Sequence, residues 1–402
     1  MIQNNDRIKI AILDHSPDLG GAEVAILTLL KKMDRSRFEV TVILPSPGPF
    51  SEALQDIDVP ISIIRLPMGL IHLKRGRVFR SFLLLFVSIF YLHFFLLKLC
   101  IYLKRRNFQL ILTNTIKAHL YGSIAARLCS IPLVWRFHDI LFSPDFSPLL
   151  VRFIVFFGNL FPRKILAVSR ATQDSLVKNG VKERRTEVIF NAIDEDLFEI
   201  SESFKDIREE YHLDPTVKLV GCIGRIIPQK GQMVLLRAIP GVLERYRDTF
   251  FLIVGDAFLR EEAYKNELLE FIDKNGIEDR IRFTGFRKDI RRVINSLDVM
   301  VFPSITPEAF GLSTLEAMSL AKPVIASDVG GIREMIEDRE SGLLVEPNRP
   351  EQITEAILCL FNCPEVSGRI GQKAKEVAQE KFPLKNYVLQ MEQACYDSAT
   401  SA

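Results

Sequence analysis

The stretch DVMVFPSITPEAFGLSTLEAMSLAKPVIASDVGG, residues 298–331, decides the fold of this chain. Its pattern predicts a buried strand at 298–303, an acidic turn, a helix that begins near Leu312 or Ser313, and a second strand at 323–327 that runs into a Gly-Gly turn. A unit of this kind places a loop and a helix N-terminus at the carboxyl edge of a parallel sheet, where nucleotides and phosphates bind. We therefore expect a ligand site at the acidic turn.

Two carboxylates, Glu308 and Glu316, bracket that turn with seven residues between them. Glu308 does not belong to a periodic pattern of apolar residues, so core packing does not explain it. It is either a solvent-exposed turn acid or a site residue. Glu316 has a structural alternative, because Ser313 and Glu316 have the spacing of a capping box. Successive backbone N–H groups at the helix start could hold a phosphate or a sugar hydroxyl, and they belong to Phe310, Gly311, Leu312 and Ser313.

The rest of the chain alternates strands with helices, with seven strands in the first half and a restart of the pattern in the second. This alternation predicts an α/β fold with doubly wound parallel sheets. A chain of 402 residues exceeds what one hydrophobic core usually supports, so we expect two Rossmann-like domains that face each other across a cleft. The predicted segments are a first domain at 1–195, a charged linker within 194–215, a second domain at 196–375 and a C-terminal helix in 376–402 that packs back on the first domain.

Composition narrows the function and the compartment. The formal net charge of +2 argues against a nucleic-acid partner. Six scattered cysteines show no paired Cys/His spacing for zinc and are typical of free thiols in a reducing cytosol. The N-terminus enters a strand directly, without the basic and apolar regions of a signal peptide. We therefore expect a cytoplasmic protein without a metal site.

Two loops at strand ends have the composition of a phosphate site. GRIIPQKG, residues 224–231, leaves the first strand of the second domain and enters a helix. Its Arg225 and Lys230 could bind a diphosphate by charge, and its glycines allow close backbone approach, although two solvated cations beside a turn are the alternative. Gly20 and Gly21 occupy the matching loop of the first domain, where adjacent glycines permit positive φ angles.

His138 follows a strand, residues 133–137, whose members are apolar or bulky apart from Arg136. A histidine at the carboxyl edge of a sheet can contact a ligand, and many such histidines are structural. The sequence leaves both interpretations open.

Along the chain occur, in this order, the motifs GGAE, FHD, LAVS, NAID, GRIIPQKG, VGD, FTGF, PEAFGLSTLEAM and DVGGIREMI. Together they resemble glycosyltransferase family 4, whose members are retaining enzymes of the GT-B fold that use nucleotide sugars. The resemblance covers the second domain almost throughout and the first more thinly. Two departures are Asn191-Ala192 in place of Asn-Gly and the missing second glycine after Gly255-Asp256.

The resemblance implies a role for each residue of the donor site. Arg225 and Lys230 would hold the donor diphosphate and stabilise the charge on the leaving nucleotide. Glu316 would hold the ribose, a role that competes with helix capping. Gly21 would approach the diphosphate from the first domain, and the backbone of residues 310–313 would bind phosphate and sugar.

The resemblance also implies how the sugar is handled. Glu308 would contact the hydroxyls of the transferred sugar, and His138 would lie close to the same sugar. The family transfers with retention at the anomeric carbon and without a metal, and this chain has no Asp-x-Asp metal motif. We expect no cofactor, a nucleotide-sugar co-substrate, and a glycan or lipid-linked acceptor in envelope or extracellular polysaccharide assembly, including lipopolysaccharide.

A hydrophobic block at 81–103, within a helix predicted at 78–103, is long enough to span a bilayer and has basic flanks. Spanning would place the first strand across the membrane from its own sheet. Besides spanning, which this makes hard to reconcile with the fold, the alternatives are a buried helix and a helix that lies in the membrane interface, with its Lys and Arg flanks on anionic headgroups. We favour peripheral attachment to the inner face of the plasma membrane, to which a second apolar and basic helix at 149–164 could contribute.

Two other function classes fit parts of the pattern. A sugar-nucleotide epimerase on the same fold would lack the combination of GRIIPQKG with PEAFGLSTLE, and a phosphorylase would need a longer chain and a pyridoxal-phosphate lysine. A non-catalytic nucleotide-sugar-binding protein would bind a donor without transferring the sugar. The full set of charged site residues favours the transferase.

Overall fold

The computed structural model describes residues 7–66, 82–142, 146–194, 205–257 and 261–401, with the side chains of 82–90 excepted. Residues 195–204 of the predicted linker, the first residues of the predicted 78–103 helix and its N-terminal basic flank lie outside the described residues. The chain divides into two compact units. The first unit comprises Met1–Asn191 with Lys385–Ala402, and the second comprises Ala192–Leu384.

The first unit is built on a sheet of seven parallel strands in the order β3-β2-β1-β4-β5-β6-β7. The central strands are buried along almost their whole length, because helices cover both faces of a parallel sheet. The strands are β1 (Ile8–Leu13), β2 (Phe38–Leu44), β3 (Ile61–Ile63), β4 (Leu110–Thr113), β5 (Leu133–Phe137), β6 (Lys164–Ala167) and β7 (Thr186–Val188).

Helices connect these strands, as the alternating pattern predicts. The C-terminal helix belongs to this unit as well: the hydroxyl of Tyr387 donates to the carbonyl of Ala25 at 3.1 Å, and Glu392 accepts from the backbone N–H of Asp34 at 2.7 Å. Before the chain enters the second unit, the helices are α1 (Gly21–Lys32), α2 (Pro49–Gln55), α3 (Phe82–Arg105), α4 (Ile116–Cys129), α5 (Pro148–Leu160) and α6 (Arg170–Lys178).

The second unit contains a six-stranded parallel sheet in the order β10-β9-β8-β11-β12-β13. Its strands are β8 (Lys218–Ile223), β9 (Thr249–Val254), β10 (Ile281–Gly285), β11 (Val299–Phe302), β12 (Val324–Ser327) and β13 (Leu343–Val345). Its helices are α7 (Ile207–Glu210), α8 (Gln232–Arg245), α9 (Glu262–Asn275), α10 (Ile290–Ser296), α11 (Leu312–Ser319), α12 (Ile332–Met335), α13 (Pro350–Asn362) and α14 (Pro364–Lys381). The C-terminal helix, α15 (Leu384–Thr400), belongs to the first unit from Lys385 onward. Two parallel α/β sheets confirm the predicted fold class.

The hydrophobic block forms α3, which is apolar on two faces. One face is buried in the core through Phe95, Leu99 and Leu103, and the Phe95 ring contacts Tyr121 of α4 edge-on at a centroid distance of 5.1 Å. The other face is exposed although it is also apolar, and it comprises Tyr91, Phe94, Leu97 and Ile101. In the described part of the chain, no helix combines the length and hydropathy that crossing a bilayer would require.

The second apolar block forms α5, and it repeats this arrangement. Ile154 and Gly158 face inward, where a Cβ on Gly158 would come within 3.2 Å of the Trp135 ring. Both α3 and α5 pack against α4. The outward residues of α5 are large and apolar, and they comprise Leu149, Phe153, Phe156 and Leu160.

A matched pair of leucines tests which face of α3 supports the core. Leu99→Ala should lower the free energy of unfolding by about 2–5 kcal/mol, because Leu99 is 0% exposed and its truncation leaves a cavity. Leu97→Ala, at a side chain that is 49% exposed, should change it by no more than about 0.5 kcal/mol. Trp135, the only tryptophan in the chain, lies in the first unit, so its fluorescence during urea denaturation follows this unit. Equal losses in the two variants would contradict the assignment of faces.

Candidate functional site

The strand order reverses between β8 and β11 at the centre of the second sheet. The chain moves outward from β8 through β9 to β10, and then returns to form β11 on the other side of β8. The loops that follow these two strands therefore diverge and leave a crevice at the carboxyl edge, where ligands of open α/β sheets bind. GRIIPQKG follows β8, and the acidic turn follows β11.

Backbone contacts hold these two loops together. The backbone N–H of Ile305 donates to the carbonyl of Gln229 at 2.9 Å. Gly231 caps the start of α8 with φ of +69°, and a Cβ at this position would lie 1.9 Å from the carbonyl oxygen of Pro303. Because only glycine permits both the angle and the approach, Gly231 fixes the end of the GRIIPQKG loop against the acidic turn.

An ion pair crosses the crevice between the two loops. Nζ of Lys230 lies 2.8 Å from Oε1 of Glu308, and the hydroxyl of Ser304 donates to the same oxygen at 2.7 Å. Nζ also lies 4.9 Å from the ring centroid of Phe302, within the range of a cation–π contact. The side chains are 22% and 15% exposed. Glu308 is therefore not the solvent-exposed turn acid that the sequence allowed, because two partners hold its carboxylate.

Arg225, the other cation of the loop, is placed differently. Its side chain is exposed, and its backbone carbonyl accepts from Nε2 of the buried Gln232 at 2.8 Å. No carboxylate within the described ranges pairs with its guanidinium. The loop thus presents one cation that is held by an acid and one that is open to solvent.

Glycine geometry shapes the start of α11. Gly311 is the N-cap residue with φ of +101°, and Phe310 is buried with its ring edge-on to Phe382 at 5.4 Å. The backbone N–H of Gly331 donates to the carbonyl of Glu308 at 2.7 Å, and a Cβ on Gly330 would lie 2.2 Å from that oxygen. The Gly-Gly turn after β12 therefore supports the acidic turn from behind.

Backbone donors remain available at this helix start. Within the described residues, the N–H groups of Gly311, Leu312 and Ser313 find no acceptor, as is usual for the first turn of a helix. These three groups and the positive end of the helix dipole could together bind an anion. The sequence-based expectation that the backbone of residues 310–313 binds phosphate or sugar stays a prediction.

The capping box that Ser313 and Glu316 allowed does not form. Because Gly311 adopts a positive φ, α11 begins at Leu312, and Ser313 lies within the first turn instead of capping it. Glu316 is half-buried, and no hydrogen bond from the described residues reaches its carboxyl. Burial raises the pKa of this carboxyl to about 7, and the positive charge of Arg291 opposes the rise.

In the first unit, the Gly20-Gly21 loop has an ordinary backbone. Gly20 has φ of −112°, and Gly21, the first residue of α1, does not have a positive φ either, so neither glycine uses the left-handed conformation that adjacent glycines permit. The carboxylate of Glu23 accepts from the backbone N–H of Gly20 at 2.9 Å, and a Cβ on Gly20 would lie 2.8 Å from that carboxylate. Close approach of this capping acid explains the glycine.

His138 joins a polar chain at the carboxyl ends of β1, β4 and β5. Its Nε2 lies 2.8 Å from Oδ1 of Asn114, and Nδ2 of Asn114 donates to Oδ2 of Asp14 at 2.8 Å. Burial, with further effects from Arg136 and His119, lowers the pKa of His138 well below its usual value. Asp14 and Asn114 are not among the predicted site residues, although each directly follows a buried strand.

The predicted site residues thus fall into two groups. Gly21 and His138 belong to the first unit, and the others belong to the second, where Lys230 and Glu308 are in direct contact. Over the residues that the structure describes, no set of three or more histidine, cysteine, aspartate or glutamate side chains is arranged to hold a metal ion.

Comparison with known proteins gives a consistent result. Two protein-family models match the chain. The Glycosyltransferase Family 4 model matches residues 19–197, and the Glycosyl transferases group 1 model matches residues 203–377. An alpha-D-kanosaminyltransferase of Streptomyces kanamyceticus is 32% identical over 46% of this chain. The matched region spans about half of that relative's length, 49%. The UDP-Gal:alpha-D-GlcNAc-diphosphoundecaprenol alpha-1,3-galactosyltransferase of Escherichia coli is 24% identical over 89% of each chain. The crystal structure of Anabaena HepE in complex with UDP-glucose superposes with a TM-score of 0.85 and 28% identity, and covers 97% of this chain and 100% of HepE.

The raised pKa of Glu316 predicts a pH-dependent stability. Its carboxyl titrates at about 7 in the folded protein against an ordinary 4.5, so its contribution is present below 4.5 and is lost as the pH rises through about 7. Glu316→Gln cannot ionise, and we expect it to melt at a higher temperature than the unmodified protein at about pH 8, with a smaller advantage at about pH 5. Calorimetry at both pH values measures this, with Glu355→Gln, at an exposed site on α13, as the control for the substitution itself. An advantage that did not change with pH would contradict the burial of an ionising Glu316.

Proposed function

The chain belongs to glycosyltransferase family 4, and from this premise we propose that it moves a sugar from a nucleotide-diphosphate sugar to a glycan or lipid-linked acceptor, with retention at the anomeric carbon. Membership rests on the two family matches, and the two α/β units match GT-B glycosyltransferase structures. The observation that carries the proposal is the contact between Lys230 and Glu308 at the switch point of the second sheet.

The diphosphate of the donor would bind at the GRIIPQKG loop and the start of α11. An ammonium group has three N–H donors, so Lys230 can bond a phosphate oxygen while it keeps its contact with Glu308. The exposed guanidinium of Arg225 adds a planar fork suited to phosphate. The open N–H groups of residues 311–313 supply further donors. Together these groups would stabilise the charge that develops on the leaving nucleotide.

Glu308 would orient the transferred sugar. Its Oε1 is occupied by Lys230 and Ser304, and Oε2 has no hydrogen-bond partner within the described residues. A carboxylate oxygen held in this way is a fixed acceptor for sugar hydroxyls. Glu316, whose carboxyl lacks a capping role, is then available for the ribose hydroxyls, as the family resemblance implies.

We further propose that the donor carries uridine diphosphate and that transfer needs no metal and no cofactor. Both HepE, solved with UDP-glucose, and the Escherichia coli UDP-Gal transferase support uridine. Two cations at one loop offset much of the charge of a diphosphate, which is the part that a divalent cation plays in other transferases. The acceptor class is inferred from the same Escherichia coli relative, whose name specifies a diphosphoundecaprenol-linked sugar.

Replacement of Lys230 tests the donor site. Lys230→Ala should weaken binding of UDP-glucose and reduce turnover by roughly tenfold or more, because a charge-assisted contact to the diphosphate is lost. The control is Lys381→Ala, which removes the lysine of another Lys–Glu pair in the same unit, with Glu337 at 2.5 Å, and should leave both values unchanged. Calorimetric titration with UDP, UDP-glucose and GDP-mannose measures binding, and product analysis in EDTA measures transfer and its anomeric outcome.

Each result of this experiment has a distinct meaning. Unchanged binding and turnover in Lys230→Ala would contradict the assignment of Lys230. Binding of UDP-glucose without transfer to any acceptor would favour a non-catalytic binding protein. Tighter binding of GDP-mannose would overturn the uridine assignment, loss of turnover in EDTA would overturn metal independence, and an inverted product would overturn retention.

We also propose that the enzyme is cytoplasmic and attaches peripherally to the inner face of the plasma membrane. The surface formed by the exposed faces of α3 and α5, here called the apolar surface, carries large side chains that have no role in the core. Exposed cations lie on the same helices at Lys98, Lys104 and Arg152. Apolar insertion combined with charge attraction to anionic headgroups is the pattern of an interfacial helix. Attachment of this kind would bring the enzyme to a lipid-linked acceptor.

Liposome flotation tests the apolar surface. The double variant Leu97→Ser/Leu160→Ser should float with anionic vesicles severalfold less than the unmodified protein, because two inserted side chains are lost. The matched control Leu269→Ser/Leu389→Ser changes two leucines that are equally exposed on α9 and α15, and it should float normally. Equal flotation of both doubles, or no flotation of the unmodified protein, would rule out attachment through this surface.

A further inference from the structure

Three polar side chains form a continuous hydrogen-bonded chain where β1, β4 and β5 end. Asp14 follows β1, Asn114 follows β4, and His138 follows β5, and these three strands are neighbours in the sheet. Asp14 and Asn114 are each 1% exposed, whereas His138 is only half-buried. The chain therefore runs from the interior toward the surface and ends on an imidazole.

The surroundings of Asn114 fix the orientation of its amide. Its Nδ2 lies 2.8 Å from Oδ2 of Asp14 and 3.2 Å from the carbonyl oxygen of Ala22. Carbonyl oxygens accept hydrogen bonds and cannot donate them, and the same holds for an ionised carboxylate, so the amide NH₂ must face these two groups. The amide oxygen Oδ1 is thereby directed at His138.

The orientation of Asn114 in turn fixes the tautomer of His138. An amide oxygen only accepts, so Nε2 of His138, at 2.8 Å, must carry the hydrogen. Because the ring is held neutral by burial and by the nearby Arg136 and His119, which lower its pKa, Nδ1 keeps its lone pair. No other described residue donates a hydrogen bond to Nδ1.

We infer that Asp14 and Asn114 are positioning residues that hold His138 as its Nε2–H tautomer, so that Nδ1 is presented as an acceptor for a sugar hydroxyl at the carboxyl edge of the first sheet. The sugar contact rests on the proposed function, whereas the tautomer does not. With the opposite tautomer, Nδ1 would carry a hydrogen and would bind acceptor groups instead. Asp14 therefore acts on the sugar through two other side chains.

Asp14 is itself firmly held. Its Oδ1 accepts from the backbone N–H of Ser16 at 2.9 Å and from the hydroxyl of Thr115 at 3.2 Å, which leaves Oδ2 for Asn114. The hydroxyl of Tyr121 donates to the backbone carbonyl of Asp14 at 3.2 Å, and His15 lies 3.9 Å from the carboxylate. Burial raises the pKa of Asp14 to about 6, so the acceptor state required here is the main one at about pH 7.5.

Nitrogen NMR of the ¹⁵N-histidine-labelled full chain at about pH 7.5 tests the tautomer without any ligand. The signals of His138, one of six histidines, are identified by their loss in His138→Gln. We expect a protonated Nε2 and an unprotonated Nδ1. Asp14→Asn should give a mixture of tautomers, because an amide at position 14 can donate to Asn114 and so allow its side chain to flip. A protonated Nδ1 in the unmodified protein, or an unchanged tautomer in Asp14→Asn, would overturn the inference.

A binding measurement separates positioning from a general structural role. Asp14→Asn should weaken UDP-glucose binding roughly 3- to 10-fold, the effect of one hydrogen bond, and leave UDP binding unchanged, because UDP lacks the sugar. Asp56→Asn, at an exposed position after α2, is the control. Equal losses for both ligands would indicate structural damage and overturn the sugar contact. If the unmodified chain bound neither ligand, the proposed function would fail, and the sugar contact with it, while the NMR result would still decide the tautomer.

Discussion

The ion pair between Lys230 and Glu308 depends on how closely two backbone segments approach at the switch point of the second sheet. Gly231 must lie against the carbonyl of Pro303, and the Gly330-Gly331 turn must lie against the carbonyl of Glu308. With these contacts in place, two opposite charges that are each largely buried meet at 2.8 Å and compensate the cost of their desolvation. The glycines of the site are therefore constraints on charge placement as well as on chain direction.

Much of this arrangement could be predicted from the sequence. Apolar runs that end in glycine or polar residues predict strands of parallel sheets, and β11 and β12 lie within one residue of their predicted limits. The start of α11 could also be predicted, because a helix that follows Gly311 begins at Leu312. The capping alternative for Glu316 was wrong because spacing alone does not reveal that Gly311 takes a positive φ and starts the helix before Ser313 can cap it.

What the sequence could not supply are contacts that depend on strand order. Lys230 and Glu308 are 78 residues apart, and Asp14 and Asn114 are 100 apart; they meet only because β8 adjoins β11 and β1 adjoins β4. Local periodicity has no information about such neighbours. The α3 helix is a different case: both of its faces carry large apolar side chains, so hydrophobic periodicity alone does not separate the leucines and phenylalanines that are buried from those that face outward.

The two sheets use the same position for different chemistry. In each, polar side chains follow the pair of strands between which the order reverses, β1 with β4 and β8 with β11. In the second unit these side chains are charged, with Lys230 paired to an acid and Arg225 open to solvent, which suits a diphosphate. In the first unit they form a hydrogen-bonded chain that ends on a neutral imidazole, with its single buried carboxylate at the inner end. A neutral acceptor can orient a hydroxyl without attracting phosphates, so equivalent positions of the two sheets present different chemistry: charged side chains in the second unit and a neutral hydrogen-bonding end in the first.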